Sequence, residues 1–252
     1  MRGSGKRLDW WVMGAQWKQK GREISALKRG QLFGKLMKEI VVAVKQGGPD
    51  PDLNARLHAA LETARKHSVP RDTIERAVKK GAGQTGEAVA YEVVTYEGFA
   101  PGKVPIIVEC LTDNRNRTAP EIRALFKAGQ FGAPGSVAWM FTHVGLVEAH
   151  HPTAGQDLEA VAIEAGAQNV EPLAGDEVPA GHAGARFYCD RADVNGVSQA
   201  LKKAGWTVTT AEMSYVAKNA VEAPAAQRAE IEAFLTAIDE HDDVHRVYTA
   251  MK

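Results

Sequence analysis

The chain has 252 residues, 44% of them hydrophobic and 25% charged, with 31 basic side chains balanced by 31 acidic ones. This is the composition of a globular protein with one large domain or two to three smaller ones. No apolar run of 18 residues occurs and no apolar core with a cleavage site opens the chain, so neither a transmembrane helix nor a secretory signal is indicated and the cytoplasm is the expected compartment. The neutral total hides an asymmetry: residues 1–87 hold 18 Lys+Arg and 9 Asp+Glu, a balance of +9, and the remainder holds the opposite, −9. A basic front and an acidic back imply different partners, with nucleic acid the leading one for the front. Two cysteines, Cys110 and Cys189, lie in separate apolar runs with no CxxC pairing, the pattern of buried free thiols in a reducing compartment.

Residues 1–12 show no periodicity and read as a leader or tag-like segment outside the fold. From Trp17 to Lys45 the pattern is helical and basic. Leu32, Phe33, Leu36, Met37, Ile40, Val41 and Val44 share one arc, and Lys28, Lys35, Lys38 and Lys45 lie opposite at ~100° per residue. That lysine side is expected to be free. With Lys18, Lys20, Arg22 and Arg29, and only Glu23 and Glu39 to offset them, it is either a solvated face or a phosphate-backbone footprint. Gly47-Gly48-Pro49-Asp50-Pro51 breaks the helix. A second helix is expected around Leu57, Ala60, Leu61 and Ala64, and a third opens at Pro70 and stops at Gly81 after two lysines. Gly81-Ala82-Gly83-Gln84-Thr85-Gly86 matches the dinucleotide fingerprint literally, but it follows a helix instead of a strand, so it reads as a hinge. Residues 13–87 are thus expected to form a basic helical domain with its hinge.

Beyond the hinge the period changes. Strands are expected at Tyr91–Phe99, Val104–Leu111 and Ser136–Phe141, with a helix over Pro120–Ala128 before the third. Then come a strand Val144–Ala149, a helix Leu158–Ala165, strands Val170–Leu173 and Ala185–Asp190, a helix Val194–Ala204 and a strand Thr207–Tyr215. This β-α-β-β-α-β order is that of a ferredoxin-like unit. A helix Ala225–Ile238 and a strand Val244–Thr249 close the chain. The expected layout is a discontinuous α+β domain, 88–142 plus 218–252, with a second α+β domain, 143–217, inserted in it.

The most distinctive stretch is Glu109-Cys110-Leu111-Thr112-Asp113-Asn114-Arg115-Asn116-Arg117-Thr118, where an apolar run meets a helix through a polar turn. Thr118 and Glu121 have the spacing of a capping box. Asn114, Arg115, Asn116, Arg117 and Thr118 are candidates for an anion site or a domain contact, since helix-start N–H groups and two guanidiniums favour negative charge there. The alternative is a turn shaped by Asp113 and Asn114 with solvated arginines. No catalytic constellation, metal-ligand spacing or phosphate loop with a lysine is present, so neither an enzyme, a cofactor, a metal nor a small-molecule substrate is expected. Asp239-Glu240-His241-Asp242-Asp243 lacks the spacing and turn glycine of a calcium loop and is expected to be solvated. No group of Arg, Asn and Gln stands out for reading base edges, and no aromatic ladder supports base stacking.

Trp17-Lys18, Lys28-Arg29-Gly30, the run Phe33 to Ile40, the run Ile74 to Gly81, Tyr96-Glu97-Gly98, Asp242-Asp243-Val244 with Val247-Tyr248, and above all Glu109 to Thr118 resemble the YebC family. The resemblance runs from Met13 to near the C-terminus. It implies an α+β multidomain fold: an N-terminal three-helix-type domain followed by two ferredoxin-like α+β domains, one inserted in the other. It also implies a non-enzymatic regulator of gene expression. Family members are described as probable transcriptional regulators that bind DNA, and others act in translation, including relief of ribosome pausing on proline-rich stretches. The partners implied are DNA or ribosomal RNA, with the transcription machinery or the ribosome. A protein–protein adaptor acting through the acidic half is the reading from another class. The family start reads Gly-His-Ser-Lys-Trp, whereas this chain has Gly14-Ala15-Gln16-Trp17. Contacts made by the missing residues do not carry over.

Overall fold

A computed structural model describes residues 26–86, 91–173, 177–223 and 225–251. The leader expected at 1–12, and Lys18, Lys20 and Arg22, lie outside the described residues, as does the side chain of Lys28.

Three helices open the described chain: α1 (Ala26–Gly47), α2 (Ala55–Lys66) and α3 (Arg71–Gly81). The expected apolar arc packs inward, with Ile40, Val41 and Val44 of α1 buried against Leu57, Ala60, Leu61 and Ala64 of α2 and Ala77 of α3. Asn54 caps α2, its Oδ1 accepting from Leu57 N–H, and its amide also donates to Ala43 O at 2.8 Å, which ties the loop back onto α1. Gly81 ends α3 against α1; a Cβ there would stand 2.7 Å from Val44 Cβ and 2.8 Å from Val41 O. The glycines of the fingerprint-like run are therefore explained by this packing and by positive φ at Gly83 and Gly86.

Two antiparallel four-stranded sheets follow. The first contains β1 (Glu92–Ala100), β2 (Val104–Thr112), β3 (Gln130–Phe131) and, from the far end of the chain, β8 (Val244–Thr249), in the order β3-β1-β2-β8. Helices α4 (Arg115–Leu125) and α7 (Ala225–Asp239) cover one face. The continuous apolar run of β2 follows from burial on both sides. Ile106, Val108 and Cys110 meet α4 and α7, while Ile107 turns the other way, toward Val137, Phe141 and Tyr248.

The second sheet contains β4 (Phe141–His151), β5 (Asn169–Leu173), β6 (Ala183–Cys189) and β7 (Thr207–Ala217) in the order β5-β6-β4-β7. Helices α5 (Leu158–Ala165) and α6 (Val194–Lys203) pack on it around Phe187, Val197, Leu201 and Trp206. This strand order is the ferredoxin-like one. Cys110 and Cys189 are both buried, and burial pushes their thiols up to about 12 and about 11.

Two expectations are corrected. Of the strand expected at Ser136–Phe141, only Phe141 is in a strand, as the first residue of β4. The backbone before it turns through a short 3-10 segment at Ala138–Met140, because the buried Glu97 carboxylate accepts the N–H groups of Gly135, Val137 and Ala138 at 2.6, 2.8 and 2.8 Å. Donors taken by a carboxylate are lost to a ladder, and the edge beside β1 falls to the two residues of β3. Nor does Thr118 start a helix: α4 begins at Arg115, capped by Asn114, whose extended backbone (φ −147°, ψ 90°) and Oδ1, bonded to Arg117 N–H, leave Thr118 inside the first turns.

Candidate nucleic-acid interface

The stretch from Glu109 to Thr118 is built around a residue far away in sequence, Asp243. The β2 strand ends at Thr112, whose Oγ1 accepts Asn114 N–H at 2.9 Å and shares a hydrogen bond with Thr118 Oγ1 at 2.7 Å. Thr118, wholly buried, donates to Asp243 Oδ2 at 2.7 Å. Arg117 Nη2 donates to the same oxygen at 2.8 Å, and Lys38 Nζ, from α1, donates to Oδ1 at 2.6 Å. Asp243 is only 3% exposed, and the hydrogen bonds from Lys38, Arg117 and Thr118 outweigh burial to hold its carboxyl far below the usual carboxylate range. The start of α4 thus does face an anion, and that anion is the chain's own carboxylate.

This overturns the expectation that the acidic turn before β8 is wholly solvated. It also corrects the expectation that the lysine side of α1 is free. Lys35 Nζ donates to Asp239 O, and Lys38 reaches Asp242 O at 3.1 Å as well as the Asp243 carboxylate. Lys38 and Lys80 also lie 5.9 Å from the centre of the Tyr91 ring. Of the other basic candidates on α1, Arg29 and Lys45 are exposed. On α4, Asn114, Arg115, Asn116 and Arg117 are exposed, with Arg115 3.7 Å from Glu92 across solvent-exposed surface. Lys35, Lys38 and Arg117 therefore come together at the Asp239–Asp243 turn, while Arg29, Lys45 and Arg115 make no part of it.

A second ionic group, missed by sequence reasoning, lies where the helical domain meets both sheets. Glu39 of α1 is 6% exposed and grips Arg56 of α2 with both carboxylate oxygens, Nε–Oε1 at 2.7 Å and Nη2–Oε2 at 2.9 Å. His245 Nε2 of β8 stands 3.1 Å from Glu39 Oε2. Although burial opposes the charge, His245 and Arg56 keep the Glu39 carboxyl well below its ordinary range. The neighbouring Arg246 pairs across the sheets with Glu212 of β7, and Glu109 lies opposite Arg246 in the β2–β8 register. Isolated charges in apolar surroundings carry no periodic signal. Only the sequence separation of the partners, closed by the fold, reveals them.

Comparison with known proteins places this geometry. Residues 13–84 match the TACO1/YebC protein N-terminal domain, and residues 91–251 match the TACO1/YebC second and third domain. A probable transcriptional regulatory protein of Pseudomonas syringae pv. syringae is 52% identical over 241 residues, covering 95% of this chain and 99% of the relative. One from Bdellovibrio bacteriovorus is 46% identical over 241 residues, covering 95% and 100%. The crystal structure of a conserved hypothetical protein from Aquifex aeolicus aligns with a TM-score of 0.78 at 36% identity, over 94% of this chain and 96% of that one. With the three-helix domain and both sheet domains matched in order and nearly end to end, the chain belongs to the TACO1/YebC family.

Proposed function

We propose that this protein is a nucleic-acid-binding regulator of gene expression whose helical domain makes the phosphate contacts. The observation that carries the reading is the charge division: +9 over residues 1–87 against −9 over the rest. A surplus of lysine and arginine confined to one domain supplies sequence-independent affinity for a phosphate backbone, and the acidic remainder repels it. Relatives named as probable transcriptional regulatory proteins support the same class. Arg29 and Lys45 on α1 are proposed as contacts, with Lys18, Lys20, Arg22 and Lys28 preceding or joining them in sequence. Arg115 and Asn116, exposed at the start of α4, are a proposed auxiliary anion contact. The reading needs no catalytic step.

The test is binding of the full chain to labelled duplex DNA and to structured RNA, including ribosomal RNA fragments, by fluorescence anisotropy across a salt series. Binding to one or both at low salt, weakening linearly on a log–log salt plot, is expected. The charge reversals Arg29→Glu and Lys45→Glu should lower affinity for all sequences alike and flatten the slope by about 1 per lost contact. Absence of binding to either polymer at low salt would overturn the proposal. The ratio of DNA to RNA affinity decides between action at promoters and action on the translation apparatus.

A further inference from the structure

Among the described residues, the ionic group joining the three domains is short of one positive charge. Its buried or half-buried carboxylates are Glu39 of α1, Glu109 of β2 and Glu212 of β7; its guanidiniums are Arg56 of α2 and Arg246 of β8. The other charged groups facing it among the described residues are these. Glu148 of β4 is paired with Arg186 at 2.7 Å. Lys35 and Lys38 are turned to the Asp239–Asp243 turn. Arg191, on the rim of a pocket of about 220 Å³ beside Glu212, is exposed and contacts His143 at 3.3 Å. The phenols of Tyr215 and Tyr248 are raised by burial and stay neutral. Three negative charges against two positive leave a net charge of −1, and an uncompensated charge in a desolvated junction is strongly unfavourable. His245 Nε2 stands 3.1 Å from Glu39 Oε2. One bound proton neutralises the group, and the Glu212 carboxyl, 9% exposed between the sheets, is the place for it.

We propose that this junction is a proton-dependent clamp: with one proton bound on Glu212 the helical domain is held against both sheets, and loss of that proton loosens it. Three elements of geometry carry the proposal. The charged groups come from all three domains, so the electrostatic strain falls on the contacts between domains and not on any one core. Glu39 and Glu212 are 6% and 9% exposed, so water screens their charges little. And α2 lies directly on the second sheet domain, with Ala55 and Ala59 buried in its core cluster and Ala55 N–H donating to Asn195 Oδ1 at 3.2 Å. Burial, the largest influence on Glu212, pushes its carboxyl up to about 7, which puts the event at neutral pH. Loosening the clamp also weakens the docking of α1 that holds Lys35 and Lys38 on the acidic turn. The proposal is conformational and stands independently of nucleic-acid binding.

The open fraction is read by thiol labelling of an Ala59→Cys variant of the full chain. Ala59 is 6% exposed, between α2 and the second sheet domain, so its thiol reacts only when they part. Cys110 and Cys189, each buried inside a sheet domain, report complete unfolding in the same sample. After correction for intrinsic thiolate reactivity, the labelling rate at position 59 is expected to rise by up to about tenfold per pH unit between pH ~5 and ~7 and then level. Adding Glu212→Gln, or separately Glu109→Gln, restores neutrality without a proton and should flatten the profile to within about twofold. Glu109 is only half-buried, so its variant gives a second reading should Glu212→Gln fail to fold. A flat profile in Ala59→Cys alone, persistence of the slope in a folded Gln variant, or labelling at position 59 no faster than at Cys110 and Cys189 would each overturn the clamp.

Discussion

Replacing Asp243 by asparagine removes one charge from a carboxylate that receives Lys38 at 2.6 Å, Thr118 at 2.7 Å and Arg117 at 2.8 Å, at 3% exposure. With its carbonyl oxygen in the Oδ2 position asparagine keeps both Thr118 and Arg117, but it turns an N–H₂ group toward Lys38. Breaking a buried, hydrogen-bonded ion pair by altering one partner costs about 3–5 kcal/mol. The retained oxygen and the partial exposure of Lys38 place Asp243→Asn near the lower end, at about 3 kcal/mol. For a chain of this length that is a fall in Tm of roughly 6–12 °C. Thermal unfolding followed by circular dichroism at pH 7 measures it, and a double-mutant cycle with Lys38→Ala isolates the bond between domains, with an expected coupling of about 1–2 kcal/mol. A loss below about 1 kcal/mol for Asp243→Asn would refute the reasoning, because the Glu109–Thr118 turn would then be organised by its own residues and not by the distant carboxylate.

Asn114→Ala removes the α4 cap and should cost about 1 kcal/mol in urea unfolding; no change would return the helix start to Thr118. Gly98→Ala places a Cβ 2.4 Å from both Gln130 O and a Phe126 ring carbon, so β3 must shift away from β1, with a loss of about 1–3 kcal/mol and faster amide exchange at Gly132, whose N–H donates to Glu97 O at 2.8 Å; unaltered exchange would contradict the packing. The pH profile of stability should have two limbs of opposite sign. Asp243 and Glu39, both held below their ordinary carboxylate range, contribute stability that is present above that range and is lost as pH falls through it. Glu212, raised to about 7, contributes stability that is complete below its ordinary value of 4.5 and is lost as pH rises to about 7. Tm measured from pH 4 to 9 should therefore lose its falling limb in Glu212→Gln while keeping the acid limb; a falling limb unchanged in that variant would be inconsistent with the assignment to Glu212.

Much of the fold was legible because its signals are local and repeated. The inward arc of α1, the alternation and length of the strands, and the glycine after α5 and α6 are set by periodicity and cap chemistry within a few residues. The two local errors have a common cause. At Ser136–Phe141 the apolar pattern suits a strand, but the backbone donors are taken by Glu97, some 40 residues earlier. At Thr118 the capping-box spacing is present, but Asn114 supplies the cap while the threonine hydroxyl is drawn to Asp243, 125 residues on. In each case a long-range carboxylate overrides a good local rule. The same holds for the candidate interface: the basic residues of α1 were identifiable by type and spacing, but which of them face solvent depended on an acidic turn after α7 that is distant in sequence.

That turn changes how a nucleic-acid interface on this protein has to be tested. Reversing Lys35 and Lys38 to glutamate is the obvious perturbation of a basic helix face, yet it would set two new carboxylates against Asp243 and the Asp239 and Asp242 carbonyls. Loss of binding in that double variant would mix a missing phosphate contact with an undocked helix, since like charges at such a contact are repulsive and remove the bonds that hold α1 to the first sheet domain. Arg29 and Lys45 lie on the same helix, are exposed, and make no hydrogen bond or ion pair with the acidic turn, so their reversal changes the field presented to a polyanion with little structural consequence. The two pairs of variants separate the explanations. If phosphate contact dominates, Arg29→Glu/Lys45→Glu lowers affinity and the salt slope while Tm holds within about 2 °C. If Lys35 and Lys38 serve only to dock α1, their replacement by alanine lowers Tm and leaves the salt slope of the folded protein intact. If instead the acidic turn competes with phosphate for these two lysines, Asp243→Asn weakens the fold and strengthens binding together, a combination that neither of the other two arrangements produces.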